Sequence, residues 1–195
     1  MTDRFAQIDV CVTSDDDACF FEGAPLGTEM TCFRMAKGIP NADEYPAGAT
    51  IRMEDAYPGR IVPDVIGNTR GLLIVSTRVK EAIEEAQGAE TEYLPLEILN
   101  HKGRPAGDGG PHWIISPIGT FDCADHEASE IDWFDDDVVD VDKIVLDPSK
   151  IEGAPALFRP KVEPRSYVVR GDLAERLGSM GLRGLVFEDL EVARG

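Results

Sequence analysis

The sequence predicts an α+β fold with a mostly antiparallel sheet, two or three short helices and a large share of loop. Apolar residues form short continuous runs with the length of buried strands, at residues 72–75, 113–115, 144–146 and 167–169. Two other segments repeat apolar residues at helical spacing, each between a strand and a glycine. The stretch from 37 to 71 is rich in glycine and proline. Short strands with few helices and many loops are typical of an α+β domain.

The N-terminal part of the chain is predicted to contain strands and loops. Residues 5–13 alternate apolar and polar side chains, with Ile8 and Val10 among the apolar ones, which predicts a half-buried strand. Residues 28–35 predict a second, weaker strand. Between residues 37 and 71 we expect irregular chain with short strands.

Two later segments follow one plan, in which a strand is followed by a capped helix, a glycine and a second strand. The segments span residues 72–99 and 166–190, with their second strands at 91–99 and 185–187. The predicted capping residues are Ser76 and Asp172, and the glycines that end the helices are Gly88 and Gly181. We expect Gly181 to lie just beyond its helix with a left-handed backbone. Pro95 predicts an edge position or a bulge in its strand.

A strongly acidic segment separates the predicted strands at 113–115 and 144–146, and we expect it to form a loop. Two aromatic residues, Trp133 and Phe134, lie inside this acidic run. The spacing lacks the turn glycine and the final glutamate of an EF-hand, which excludes that type of calcium site, and a looser cation site is one alternative. Aromatic side chains ringed by carboxylates are typical of protein interfaces.

We therefore predict that the acidic segment binds a protein partner. The predicted contact residues are Trp133, Phe134, Asp135, Asp136, Asp137 and Asp140. The three consecutive aspartates are expected to be exposed, because like charges at this spacing repel one another least in water or opposite a basic partner. In the alternative, both aromatic rings belong to the core and only the carboxylates face solvent.

The net charge limits the kinds of partner that the protein can have. Its 37 acidic and 19 basic side chains give a formal net charge of −18. A field of this sign repels nucleic acid and anionic membranes, and it attracts basic proteins. The alternative is that the acidity serves solubility alone.

The cysteines and the N-terminus predict a cytoplasmic protein. None of the four cysteines belongs to a C-x-x-C pair, so a zinc ribbon or a thioredoxin motif is not indicated. The first ten residues lack the basic and then apolar pattern of a secretion signal, and no run of 18 apolar residues predicts a membrane span. Free thiols are expected in that compartment.

No pattern in the sequence predicts a catalytic centre. Residues 107–110 are rich in glycine but lack the lysine and the hydroxyl residue of a phosphate-binding loop. Cys123, Asp125 and His126 are sequence neighbours, whereas the members of a catalytic triad converge from different elements. Arg159 is expected to form a structural ion pair with a carboxylate. We therefore predict a protein that is not an enzyme and binds no cofactor or metal.

The order of these motifs resembles the Imm11 family of bacterial immunity proteins, over roughly residues 70–190. The residues that carry the resemblance are Ile74-Val75-Ser76, Val79-Lys80, Ile114-Ile115, Pro117, Asp122, Asp125, Ser129, Ile144-Val145-Leu146-Asp147, Phe158-Arg159, Val168-Val169, Asp172-Leu173 and residues 181–187. One departure is Ser116, where the family pattern has asparagine before the proline. The resemblance implies an Imm11-like core at 71–195, with residues 1–70 as a variable N-terminal part of the same domain.

The resemblance also implies a cytoplasmic protein that binds a cognate toxin and neutralises it by occlusion, without catalysis. A basic toxin, such as a nuclease with a groove for nucleic acid, would suit the acidic surface. The alternative function is a regulatory or scaffold protein with another cytoplasmic partner, and an enzyme is third. Neither nucleic acid nor a membrane is an expected partner, and the sequence does not determine the oligomeric state.

Overall fold

The computed structural model describes residues 4–12, 17–86, 88–106 and 110–194. Its strands are β1 (Phe5–Ile8), β2 (Thr50–Arg52), β3 (Val65–Ile66), β4 (Leu73–Ser76), β5 (Thr91–Leu99), β6 (His112–Pro117), β7 (Glu130–Phe134), β8 (Asp137–Lys143), β9 (Val145–Leu146), β10 (Leu157–Phe158), β11 (Tyr167–Arg170) and β12 (Phe187–Val192). The α-helices are α1 (Cys32–Ala36), α2 (Thr77–Ala86) and α3 (Gly171–Ser179), and a 3-10 turn spans Ala42–Glu44. Few helices and mostly antiparallel sheets confirm the predicted α+β fold.

Two five-stranded sheets contain most of these strands. The first sheet has the order β10-β11-β1-β12-β9, and the second sheet has the order β2-β5-β6-β4-β3. Neighbouring strands are antiparallel, except that β9 runs parallel to β12 and β2 runs parallel to β5. Strands β7 and β8 form a separate two-stranded hairpin.

The two predicted strand-helix-strand segments form the centre of the two sheets. Strands β4 and β5, which α2 connects, lie on either side of β6 and are antiparallel to it. Strands β11 and β12, which α3 connects, lie in the same way on either side of β1. Each segment is therefore a split β-α-β unit, with two parallel strands separated by one strand from elsewhere in the chain. The N-terminal strand β1 supplies the middle of the first sheet.

One apolar cluster joins the two five-stranded sheets to α2 and α3. Its buried side chains include Ala6, Ile8, Leu73, Val75, Val79, Ile83, Ile115, Tyr167, Val169, Leu173 and Leu177. On α2, Val79, Ala82 and Ile83 are buried, and their spacing of three and four residues places them on one helical face. A valine or isoleucine side chain contributes about 1.5–3 kcal/mol when it is fully buried. Packing against both sheets therefore stabilises helices of only nine and ten residues.

Two further clusters cover the other faces of the sheets. Segments from the N-terminal part, with Phe21 and Met35 buried, cover the second sheet. Residues between 121 and 162, with Cys123 and Leu146 buried, cover the first sheet. The candidate site lies on this last layer.

Arg159 is fully buried and joins α1 to both of these layers. Its five N–H groups donate to the carbonyl oxygens of Met35, Ala36, Pro117 and Pro164 and to the hydroxyl of Tyr167, at 2.6–3.1 Å. The expected ion pair with a carboxylate is wrong, because these carbonyl and hydroxyl oxygens use every donor of the guanidinium group. The guanidinium carbon also lies 4.2 Å from the centre of the Tyr167 ring.

The structure corrects the strand that was predicted at residues 28–35. Residues Cys32–Ala36 form α1, which buries Cys32, Met35 and Ala36 on one face. Arg159 donates to the last carbonyl groups of α1, so tertiary contacts complete a helix that is too short to be stable alone.

Several element ends also differ from the prediction. Strand β1 ends at Ile8, and residue 13 of the predicted strand lies outside the described residues. Asp172 is the second residue of α3 rather than its N-cap, a position that Arg170 occupies, and its carboxylate pairs with Arg170. Strand β12 begins at Phe187 rather than at 185. Pro95 lies in the half of β5 that β2 does not reach, which agrees with the expected edge position.

Candidate partner-binding hairpin

The acidic segment forms a β-hairpin rather than the predicted loop. We call residues 130–143 the acidic hairpin. In strands β7 and β8, Glu130 pairs with Lys143 at one end and Phe134 pairs with Asp137 at the other. The register shifts after residue 130 and again after residue 132. A loop of two residues connects them, and its first residue, Asp135, has a φ of 53°. Aspartate tolerates this left-handed backbone better than most residues, because its short side chain can form local hydrogen bonds.

The base of the acidic hairpin is fixed to the protein by apolar contacts and by an ion pair. Ile131, Val138 and Val141 pack against the buried cluster that covers the first sheet. Lys143 donates to Glu191 of β12 at 2.9 Å. These contacts hold the acidic hairpin against the first sheet, whereas residues 132–137 at its tip are exposed.

Both aromatic residues of the acidic hairpin are exposed to solvent. Trp133 is 43% exposed and Phe134 is 71% exposed. The ring of Trp133 lies against His126, with 5.3 Å between the ring centres. The alternative in which both rings belong to the core is therefore wrong. An exposed ring on a fixed hairpin can enter a partner with little loss of conformational entropy.

The aspartates at the tip are exposed, and none of them forms an ion pair with another described residue. Asp135, Asp136, Asp137 and Asp140 all face solvent. No ion pair found in the described parts of the chain includes any aspartate of the acidic hairpin. Asp132 pairs directly with Asp140 across the two strands, an arrangement of like charges that destabilises a hairpin. The free protein therefore keeps a repulsive arrangement that a basic partner would relieve.

A groove of about 620 Å³ runs between the acidic hairpin and residues 161–165. The hairpin wall presents Trp133 and the carboxylates of Asp136, Asp137 and Asp140. The opposite wall contains the basic residues Lys37, Lys161 and Arg165 and the acidic residue Glu163. The site is therefore an acidic and aromatic ridge beside an open groove.

The structure does not assemble a nucleophilic centre from Cys123, Asp125 and His126. Cys123 is buried, and burial together with the negative charge of Asp122 raises the pKa of its thiol to about 12. The carboxylate of Asp125 accepts hydrogen bonds from the backbone N–H groups of residues 127 and 128. His126 lies on the surface against Trp133. Neutral thiols are poor nucleophiles, so this arrangement does not support covalent catalysis.

The other two histidines, His101 and His112, also do not form a catalytic or metal-binding group within the described residues. His112 is buried, and its burial lowers the pKa of the imidazole. His101 lies near Asp55 on another part of the surface. Within the described ranges, no three His, Cys, Asp or Glu side chains are grouped so that they could hold a metal ion. Residues 107–109 of the glycine-rich segment lie outside those ranges.

Sequence patterns did not indicate a second group of exposed apolar side chains, at residues 26–39. Its members are Leu26, Met30, Phe33 and Ile39. The signal is the spacing of three residues between Met30 and Phe33, which was missed because residues 28–35 were predicted to be a strand.

Comparison with known proteins identifies the family. None of the helices in the described residues has the length and apolar character needed to cross a membrane. No curated protein matches the sequence. The model of the Imm11 immunity protein family matches residues 7–192, from the second half of β1 to the end of β12, and this range includes the acidic hairpin. The chain therefore belongs to the Imm11 family of immunity proteins.

Proposed function

We propose that this protein binds a cognate toxin in the cytoplasm and neutralises it by occluding the toxin's functional surface, without catalysis. The observation that carries the proposal is the tip of the acidic hairpin, where exposed aromatic rings lie beside exposed aspartates that form no ion pair within the described residues. Membership in a family of immunity proteins supports a toxin as the partner.

The charge of the surface favours a basic toxin. Proteins that bind nucleic acid neutralise phosphates with lysine and arginine side chains. The acidic hairpin presents several exposed carboxylates that form no ion pair with the described residues, so it can occupy the same basic groove as a phosphate backbone. The net charge of −18 would also speed the encounter with a basic partner.

The two kinds of side chain would have different roles in the complex. Exposed charges at the rim of an interface act mainly on the association rate. A ring that becomes buried acts mainly on the dissociation rate. We therefore infer that the carboxylates of Asp135, Asp136, Asp137 and Asp140 speed association. The rings of Trp133 and Phe134 slow dissociation of the bound complex.

Co-expression with the product of the adjacent gene upstream, followed by a pull-down, tests whether a toxin is the partner. Titration of the toxin's activity with the purified protein then tests occlusion. If the protein blocks its partner, inhibition should rise linearly and end at a fixed molar ratio near one to one. A catalytic protein would abolish the activity at a small fraction of that ratio, and such a result would contradict the proposed mechanism.

A further inference from the structure

Exposed large apolar side chains are concentrated in two segments of this protein. Seven of the eight such residues among the described ones lie in residues 26–39 or 133–139. Met30 is 85% exposed and Phe33 is 56% exposed, so these are prominent surface groups. Single exposed apolar residues are common on protein surfaces, whereas contiguous groups mark interaction sites.

Helix α1 holds the first of these segments in a fixed position. Its buried face carries Cys32, Met35 and Ala36, and its opposite face exposes Phe33. Arg159 donates to the carbonyl oxygens of Met35 and Ala36. The hydroxyl of Ser116 also donates to the carbonyl oxygen of Met35. The exposed ring therefore lies on an element that the core positions, which reduces the entropy lost on binding.

The groove connects the end of α1 with the acidic hairpin. Lys37 is the residue after α1 and follows Phe33 by one helical turn. Lys37 lines the groove, together with Trp133 and Val139 of the acidic hairpin. The segment that carries Met30 and Phe33 therefore reaches the groove at Lys37.

We propose that α1 and the turn before it form the second half of the toxin-contact surface, and that the groove receives an amphipathic segment of the toxin. This inference rests on the proposed function. Basic side chains of that segment would face the aspartates of the acidic hairpin, and its apolar side chains would pack on Met30 and Phe33. Such a footprint, with an apolar centre and a charged rim, is the usual anatomy of a specific interface.

The charge distribution favours a toxin over a second copy of this chain. Two molecules with a net charge of −18 each repel one another, and their acidic hairpins would add to that repulsion in a symmetric contact. A basic toxin segment relieves the same charges. Met30 and Phe33 supply contact area whose contribution to binding does not depend on charge.

Kinetic measurements on two double variants test the inference. In Met30→Ser with Phe33→Ser the apolar area is lost, whereas in Met30→Leu with Phe33→Leu most of it is kept. With the co-purified cognate toxin, we expect the serine variant to dissociate about tenfold faster or more, at low and at high salt, because burial of apolar area does not depend on ionic strength. The leucine variant should dissociate at close to the wild-type rate.

Each other outcome has a definite meaning. Thermal unfolding must be unchanged in both variants, since these side chains are exposed in the free protein. If the serine variant binds the toxin as the wild type does, α1 lies outside the interface and the inference fails, while the proposed function stands. If the wild-type protein binds no toxin, both fail. If the wild type is a dimer that the serine variant dissolves, the surface joins two copies of this chain and the inference is overturned.

Discussion

Arg159 shows at the scale of one residue how the N-terminal part is joined to the rest of the chain. Its partners belong to α1, to the end of β6, to the segment before β11 and to β11 itself. All five of its donors are satisfied, and the planar guanidinium group also stacks on the ring of Tyr167. A buried cation without a carboxylate is tolerated here because carbonyl dipoles surround it.

Arg159→Lys should destabilise the protein although it keeps the positive charge. Lysine has three donors and no planar face, so at least two buried oxygen atoms would lose their hydrogen bonds. We expect the free energy of unfolding to fall by about 2–4 kcal/mol, measured by urea denaturation. An unchanged midpoint would contradict the role of the guanidinium group as the junction of these segments.

The sequence predicted the character of the site residues better than their surroundings. The exposure of Asp135, Asp136 and Asp137 followed from mutual repulsion of like charges, and the structure confirms it. The partners of Arg159 could not be predicted, because they are backbone groups brought together by the tertiary fold. That these aspartates contact a partner stays a prediction.

At the scale of elements, periodicity and turn residues predicted α2 and α3 but not α1. Helices α2 and α3 repeat apolar residues over nine or ten positions, which gives a clear pattern. Helix α1 has five residues, and its carbonyl groups depend on Arg159. The acidic hairpin was missed because aspartate is rare in strands, and because Ile131, Val138 and Val141 stabilise it by long-range packing.

Gly181 and Gly38 offer a test of how helix ends are determined. Both have left-handed backbones, with φ of 62° and 68°. A Cβ atom at Gly181 would meet nothing within 4 Å, whereas one at Gly38 would lie 2.7 Å from the carbonyl oxygen of Pro117 and 2.9 Å from Cδ of Arg159. The structure thus confirms the left-handed glycine predicted after α3.

We expect Gly181→Ala to lower the free energy of unfolding by about 1 kcal/mol, the cost of a left-handed backbone alone. Gly38→Ala should cost clearly more, because the added methyl group also displaces backbone and the side chain of Arg159. Urea denaturation of the two variants measures both values. Equal costs, or a larger cost at Gly181, would contradict the packing described around α1.

At the scale of the whole molecule, the fold depends on contacts between distant parts of the chain. Strand β1 pairs with β11 and β12, more than 150 residues away in sequence. Patterns in one sequence predict where strands lie but not which distant strand pairs with which. The two strand-helix-strand segments could therefore be predicted, whereas the strand that lies between the two strands of each segment could not. The division into a variable part at 1–70 and a core at 71–195 stays a prediction, and β1, β2 and β3 of the first region pair with strands of the second.

The net charge of −18 is also a property of the whole molecule, and it has two explanations. If it serves solubility alone, the position of each carboxylate matters little. If the acidic hairpin steers a basic toxin, charges at its tip raise the association rate far more than equal charges elsewhere on the surface. A matched pair of charge variants separates the two explanations.

The association rate of these variants with the cognate toxin is the most direct measurement of the central claim. The test variant replaces Asp135, Asp136 and Asp137 with asparagine. The control replaces Glu81, Glu90 and Glu97, exposed residues on and near α2 and β5, with glutamine. Both changes remove three charges, so they have the same effect on the net charge.

We expect the asparagine variant to associate about tenfold more slowly than the wild type at low salt. The difference should shrink toward roughly 0.5 M salt, where the Debye length is about 4 Å. The glutamine control should stay close to the wild-type rate at both salt concentrations. Equal association rates for the two variants at low salt would remove the acidic hairpin from the interface and leave solubility as the explanation of the charge.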